Sequence, residues 1–164
     1  MTTLAVQFYD VIVWLHVSAV VLAFGPTFAY GIYFATAGPR YPRSIPAILE
    51  AQNVINRTMV TIGAVVILVT GIYLAADRWD FGYFFVTWGL VAIIVLLGLV
   101  HGFFIPHERR ALEAAKRDID SAGAGNVEFG EEFNRESGAS ARMGPIAGLI
   151  VIVTIYVMAA KPFL

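Results

Sequence analysis

Cysteine is absent from the 164 residues, which excludes disulfides, thiolate metal clusters and a thiol nucleophile. Charge is scarce as well. Only 14% of the residues are Asp, Glu, Lys or Arg, against about 25% in a typical soluble domain. The chain has no internal repeat, no Walker loop, no dinucleotide fingerprint and no nucleophile elbow, so no motif points to nucleotide binding or acyl transfer. Its basic residues are interleaved with acidic ones and form no stripe, so nucleic acid is not expected as a partner.

Apolar residues make up 59% of the chain, and the mean hydropathy is +0.74. They gather into four continuous runs, over residues 9–36, 59–76, 84–105 and 143–160. Apart from Asp10 at the edge of the first, none contains Asp, Glu, Lys or Arg. A helix rising 1.5 Å per residue needs about 20 residues to cross a hydrocarbon core of about 30 Å. Strand spans would instead be shorter and alternate in polarity. The expected fold is therefore all-α, a transmembrane four-helix bundle in a single domain, with the lipid bilayer as its main surroundings. The first run is read as a retained span, because no Lys or Arg precedes it and it is longer than a signal-peptide core.

With four spans the termini share a side. The first and third connections hold Arg40, Arg43, Arg57, Arg109, Arg110, Lys116, Arg117, Arg135 and Arg142, while Arg78 and Lys161 fall on the other side. The positive-inside rule then places both termini outside a bacterial inner membrane. Trp79, Tyr83 and Trp88 stand where the second and third spans meet the outer interface, as an aromatic belt would. Ser44 and Pro46 mark a helix start that runs on into the second span. The third connection, residues 106–142, is expected to be cytoplasmic, with a solvated helix, a Gly/Ala break at "DSAGAGN", and a short polar helix leading into the fourth span. His107 is expected in water. Gly98 with Gly102, and Gly144 with Gly148, are spaced for close helix approach, within the bundle or between protomers. Gly25-Pro26 should break the first helix near its middle.

The stretch "VIVWLHVSAVVLAFGPTFAYGIYF" carries one histidine, His16. At 100° per residue, Tyr9, Ala23, Thr27 and Phe34 fall within ~20° of His16, and Tyr30 within ~40°. An ionisable group inside a membrane faces the bundle interior or a cavity, so this face should look inward. Thr70, Tyr73, Thr154 and Tyr156 come from other spans at a similar depth or a turn shallower. Three roles stay open for His16: hydrogen-bonded glue between helices, a ligand to a metal or haem, or a proton relay.

His101 lies near the inner end of the third span, ~15 Å from the level of His16 along the membrane normal. That offset is too large for two ligands on one iron unless the helices are strongly staggered. Arg57 and Arg142 open the second and fourth spans on the inner side. They either snorkel to headgroups or form, with His101, a basic vestibule for an anionic headgroup or a haem propionate.

Trp14, Leu15, His16 and Gly25, within "FYDVIVWLHVSAVVLAFGPTFAYG", resemble the opening helix of a family of small four-span bacterial predicted integral membrane proteins of unknown function. The chain is more distantly similar to HemJ-type protoporphyrinogen oxidases and copper-resistance D-type membrane proteins. In the HemJ type, a first-helix His and a third-helix Lys are tied to haem and activity. His16 matches the first of these, and the third span here has no Lys. The expected functions are a redox protein holding haem or a metal through His16, with Thr27, Tyr30, His101, Arg57 and Arg142 around the cofactor, or a cofactor-free accessory subunit. As a homo-oligomer or part of a larger membrane complex, the latter would pack through its glycine faces. A small transporter is a third reading, weakened by the lack of an acid or lysine deep in the spans.

Overall fold

The computed structural model describes residues 7–163. Within them the chain forms seven helices: α1 (Phe8–Phe24), α2 (Tyr30–Arg40), α3 (Ile45–Ile55), α4 (Thr61–Arg78), α5 (Phe84–Leu99), α6 (Ile105–Ala122) and α7 (Glu131–Ala160). They join into four rods long and apolar enough to cross a membrane: Phe8–Arg40, Pro42–Arg78, Phe84–Ala122 and Glu131–Ala160. The third rod has 39 residues and is therefore about 58 Å long, nearly twice the hydrocarbon thickness. Its apolar run ends at Ile105, so most of α6 stands beyond the hydrocarbon on one side.

Each joint inside a rod has a local cause. A tight 3-10 turn, Gly25–Ala29, separates α1 from α2. Pro26 lacks the N–H that would continue the α pattern, and the Thr27 hydroxyl donates instead to the Phe24 carbonyl at 2.6 Å. This is the break expected at Gly25-Pro26. α3 starts at Ile45 after Ser44, with Pro46 in its first turn, also as expected. Two wide π turns, Asn56–Val60 and Val100–Phe104, sit inside the second and third rods. At the first, the Thr61 hydroxyl donates to the carbonyl of Asn56, five residues back, at 2.8 Å. The second runs up to Pro106, which offers no N–H to the Gly102 carbonyl. Gly123 ends α6 with φ 54°, a conformation that favours glycine.

The rods pack chiefly on their neighbours in the chain: α1 on α4, α4 on α5, and α5 on α7. Their shared core is Ala19, Ala23, Val60, Ala64, Ile93, Leu96 and Val151 with their neighbours. Close approach occurs at Gly63, where a Cβ would come 2.6 Å from that of Ala23 and 3.4 Å from the Ala19 carbonyl oxygen. Gly98, Gly102 and Gly144 have nothing within 4 Å of such a Cβ, and Gly148 meets only the Phe28 ring at 3.4 Å. The expected glycine pairs thus mark no helix contact within this chain. At the end of the bundle that holds the turn between α4 and α5, Trp79 packs edge-on against Tyr83 and Phe85, and the Lys161 ammonium lies 4.2 Å from the centre of the Trp79 ring.

The third connection corrects the sequence reading. α6 is solvated on one face only, where Arg109, Arg110, Glu113, Lys116 and Arg117 are exposed. It packs on α3 and on the first turns of α7, burying Ala111, Ala114 and Ala115 against Ala37, Ile45, Leu49 and Phe133. The polar segment before the fourth span is not a separate short helix but the start of the unbroken α7. His107 is not free in water: its Nδ1 lies 2.6 Å from Oε2 of Glu136. Arg135 reaches the same carboxylate at 2.9 Å and Arg110 at 3.7 Å. The physical reason is periodicity. Ile105, Glu108, Ala111, Leu112 and Ala115 recur every three or four residues, so the charges interrupt the apolar stripe at one position only.

Candidate functional site

The first and fourth rods flank a groove of about 940 Å³ backed by the second and third. Its walls are mostly apolar: Phe24 and Phe28 from the first rod, Leu96 and Val100 from the third, Val151 and Ile152 from α7. α7 turns its small residues to it, among them Gly138, Ala141, Gly144 and Gly148. These glycines leave room for the groove instead of bringing two helices together.

Part-way along the groove stands a polar cluster from the second and third rods, and Ile45, Leu49, Ala111, Phe129 and Phe133 continue the wall beyond it. One turn of α3 and the following π turn offer Gln52, Asn53 and Asn56; α6 offers Glu108. Oε1 of Glu108 accepts from Gln52 Nε2 at 2.6 Å and from Asn56 Nδ2 at 2.7 Å, and Asn53 Nδ2 lies 3.5 Å from Oε2. Tyr30 donates to Asn56 Oδ1 at 3.4 Å. Glu108 is 2% exposed. Lying three residues past the apolar run, it is pushed by burial up to about 7, against the opposing pull of the hydrogen bonds from Asn56, Gln52 and Asn53. None of the ion pairs among the described residues includes it. Two polar atoms of the groove wall, Gln52 Oε1 and Ser140 Oγ, are buried without a hydrogen-bond partner.

The residues expected around a cofactor divide into two sets. Thr27 and Tyr30 line the groove; His16, His101, Arg57 and Arg142 lie outside its wall. His16 faces protein, as expected for a histidine in a span. It is half-buried against α4, with Nδ1 2.8 Å from the Thr70 hydroxyl. The same hydroxyl also meets the carbonyls of Val66 at 2.6 Å and Ile67 at 3.2 Å, which ties the ring to one turn of α4. Gly71 makes room for the ring, since a Cβ there would come 3.2 Å from Cε1. The other members of the expected outer layer do not join His16: Thr154 bonds Trp88 Nε1 at 3.1 Å, Tyr73 packs on Phe8, and Tyr156 is exposed. His101 Nε2 lies 3.1 Å from the Thr61 hydroxyl between the two π turns. Arg57 lines a shallow crevice with Arg109, Arg110 and Glu113, and Arg142 is exposed. Among the described residues no three His, Asp or Glu side chains stand together as a metal site.

Glu108 and its amides escaped the sequence reading, which placed "HERRALEAAKRDI" in solvent. The signal was there in two parts. Glu108 occupies a place on the apolar stripe of its helix, and three carboxamides crowd into "QNVIN" at the start of a span.

No curated protein and no solved structure matches the chain. A family model described as "Predicted integral membrane protein (DUF2269)" matches residues 10–162, nearly the whole length. Four apolar rods, with a cluster of polar groups in a groove between them, are thus the architecture of a chain that belongs to this family of integral membrane proteins.

Proposed function

We propose that the protein is a bacterial inner-membrane binding protein for an amphiphile, held with its apolar body in the part of the groove among the spanning helices and its head at Glu108. The observation that carries this reading is a groove of about 940 Å³, within the usual size of a small-molecule site of about 300–1,000 Å³. It joins apolar walls among the spanning helices to a buried carboxylate just past the apolar run. An amphiphile in a bilayer has the same layout, tail in hydrocarbon and head at the interface. The distribution of Arg and Lys supports both termini outside, an orientation that would turn the Glu108 side of the molecule to the cytoplasm.

Native mass spectrometry of protein released from membranes in a mild detergent tests the reading. The wild type should carry a lipid-sized adduct. Gly144→Trp, which fills open space in the groove, should lose it while keeping its melting temperature within a few degrees. An adduct that persists in Gly144→Trp would refute the groove as its site.

A second reading, a haem or metal held by His16 in a redox role, is favoured by one observation: the Thr70 hydroxyl holds the ring through Nδ1 at 2.8 Å. Ligating histidines are held in this way through their other nitrogen. It predicts a Soret band in the purified protein that disappears in His16→Ala; a colourless preparation sinks it. An accessory role in a larger membrane complex, or in a homo-oligomer, draws on Gly98 and Gly102, whose open surroundings leave a face for another helix.

A further inference from the structure

The two buried carboxylates of the inner layer are treated differently. Glu136, 3% exposed, is met by His107, Arg110 and Arg135. Glu108, 2% exposed, is met only by neutral amides. A carboxylate removed from water without a cation costs several kcal/mol, even when hydrogen-bonded. Beside it Gln52, 7% exposed, spends its Nε2 on Glu108 and leaves Oε1 without a donor. Ser140 Oγ, on the opposite wall, also lacks a partner. The groove therefore has no positive charge among its lining residues, and Gln52 Oε1 has no donor. Once ionised, Glu108 is like Gln52 Oε1 a pure acceptor.

Resting on the reading of the groove as an amphiphile site, we propose that its occupant carries a primary ammonium head, bound by the Glu108 carboxylate and the Gln52 carbonyl oxygen. An ammonium brings three donors and one positive charge in a small volume, which is what these acceptors lack. A fatty-acid head would set two carboxylates side by side. A quaternary ammonium would bring the charge without the donors. An alcohol brings one donor without the charge, and ranks between amine and acid. The apolar walls, reaching from Phe24 to Val100 and Ile152, accept the chain and do not discriminate among heads.

Purified protein in a non-ionic detergent is titrated with tetradecylamine, tetradecanol, tetradecanoate and tetradecyltrimethylammonium, and adducts are counted by native mass spectrometry. The amine should bind at least tenfold more tightly than tetradecanoate and several-fold more tightly than the trimethylated head. Glu108→Gln, close in shape and able to accept the same amide bonds, should bring the amine down to the level of the alcohol and leave the alcohol within twofold. Equal binding of amine and acid overturns the proposal, as does a Glu108→Gln variant that keeps the full preference. If Glu108→Gln does not fold, the ranking of the four heads on the wild type decides alone. Failure of the head and failure of the groove are distinguishable. Equal binding of all four heads, lost in Gly144→Trp, retires the ammonium head and keeps the groove. No adduct with any head, or adducts insensitive to Gly144→Trp, retires both.

Discussion

Glu108 is the residue on which the chemistry turns, and its protonation has a consequence for stability. Facing it are Gln52 and Asn53 of α3, Asn56 of the π turn and, through Asn56, Tyr30 of α2, all uncharged in the relevant range. Burial pushes this carboxyl from its ordinary 4.5 to about 7. The folded protein then holds a proton that the unfolded chain has already released. Stability is greatest below the unfolded value and falls as pH rises from about 4.5 to about 7. Melting temperatures in detergent should decline over that interval in the wild type and decline less in Glu108→Gln; equal slopes would show that Glu108 ionises as freely folded as unfolded. His16 differs in kind. Its inward direction was legible from one rule, that an ionisable group in a span faces protein. Its partner, Thr70, was one of several hydroxyls at that depth, and only packing could choose among them.

Helices were easier to read than their contacts. Span number and approximate position follow from composition, because hydrocarbon excludes charge over a fixed thickness, and the Gly25-Pro26 break follows from a missing N–H. Glycine spacing was less informative, since the same small residue can admit a helix, a ligand or a side chain. Gly144 and Gly148 line the groove, Gly71 admits an imidazole ring, and Gly63 alone of these meets the main chain of a neighbouring helix. The distinction is measurable. At Gly63 a Cβ would lie 2.6 Å from Ala23 Cβ, on a helix that cannot yield without moving α1. At Gly89 the obstacle is the terminal methyl of Met158, which can rotate away. Gly63→Ala should therefore cost about 1–3 kcal/mol through overpacking, and Gly89→Ala well under 1 kcal/mol. Thermal melts of both variants in detergent check the order, and a Gly89→Ala variant as damaged as Gly63→Ala would contradict it.

At the scale of the whole molecule, the distribution of polar groups defines two ends. One end is aromatic, with Trp79, Tyr83 and Phe85 around Lys161. The other is the layer formed by α3, α6 and the start of α7, with its two sealed carboxylates and its ion pairs. That layer was hidden in the sequence because Glu108 and Glu136 stand among charges that are solvated. The burial of these two depends on a partner helix that no local window contains: Glu136 comes 29 residues after His107. The excess of Arg and Lys on this end predicts that it faces the cytoplasm. The absence of cysteine makes the prediction simple to test, since any introduced thiol is unique. Asp80→Cys, in the turn between α4 and α5, should react with a membrane-impermeant maleimide on intact cells. Gly125→Cys, in the turn after α6, should react only once the membrane is opened. The reverse pattern would invert the molecule, and Glu108 would then meet amphiphiles in the outer leaflet. An amphiphile with its head at Glu108 belongs to the leaflet on that side of the bilayer, so labelling also decides which leaflet supplies the ligand.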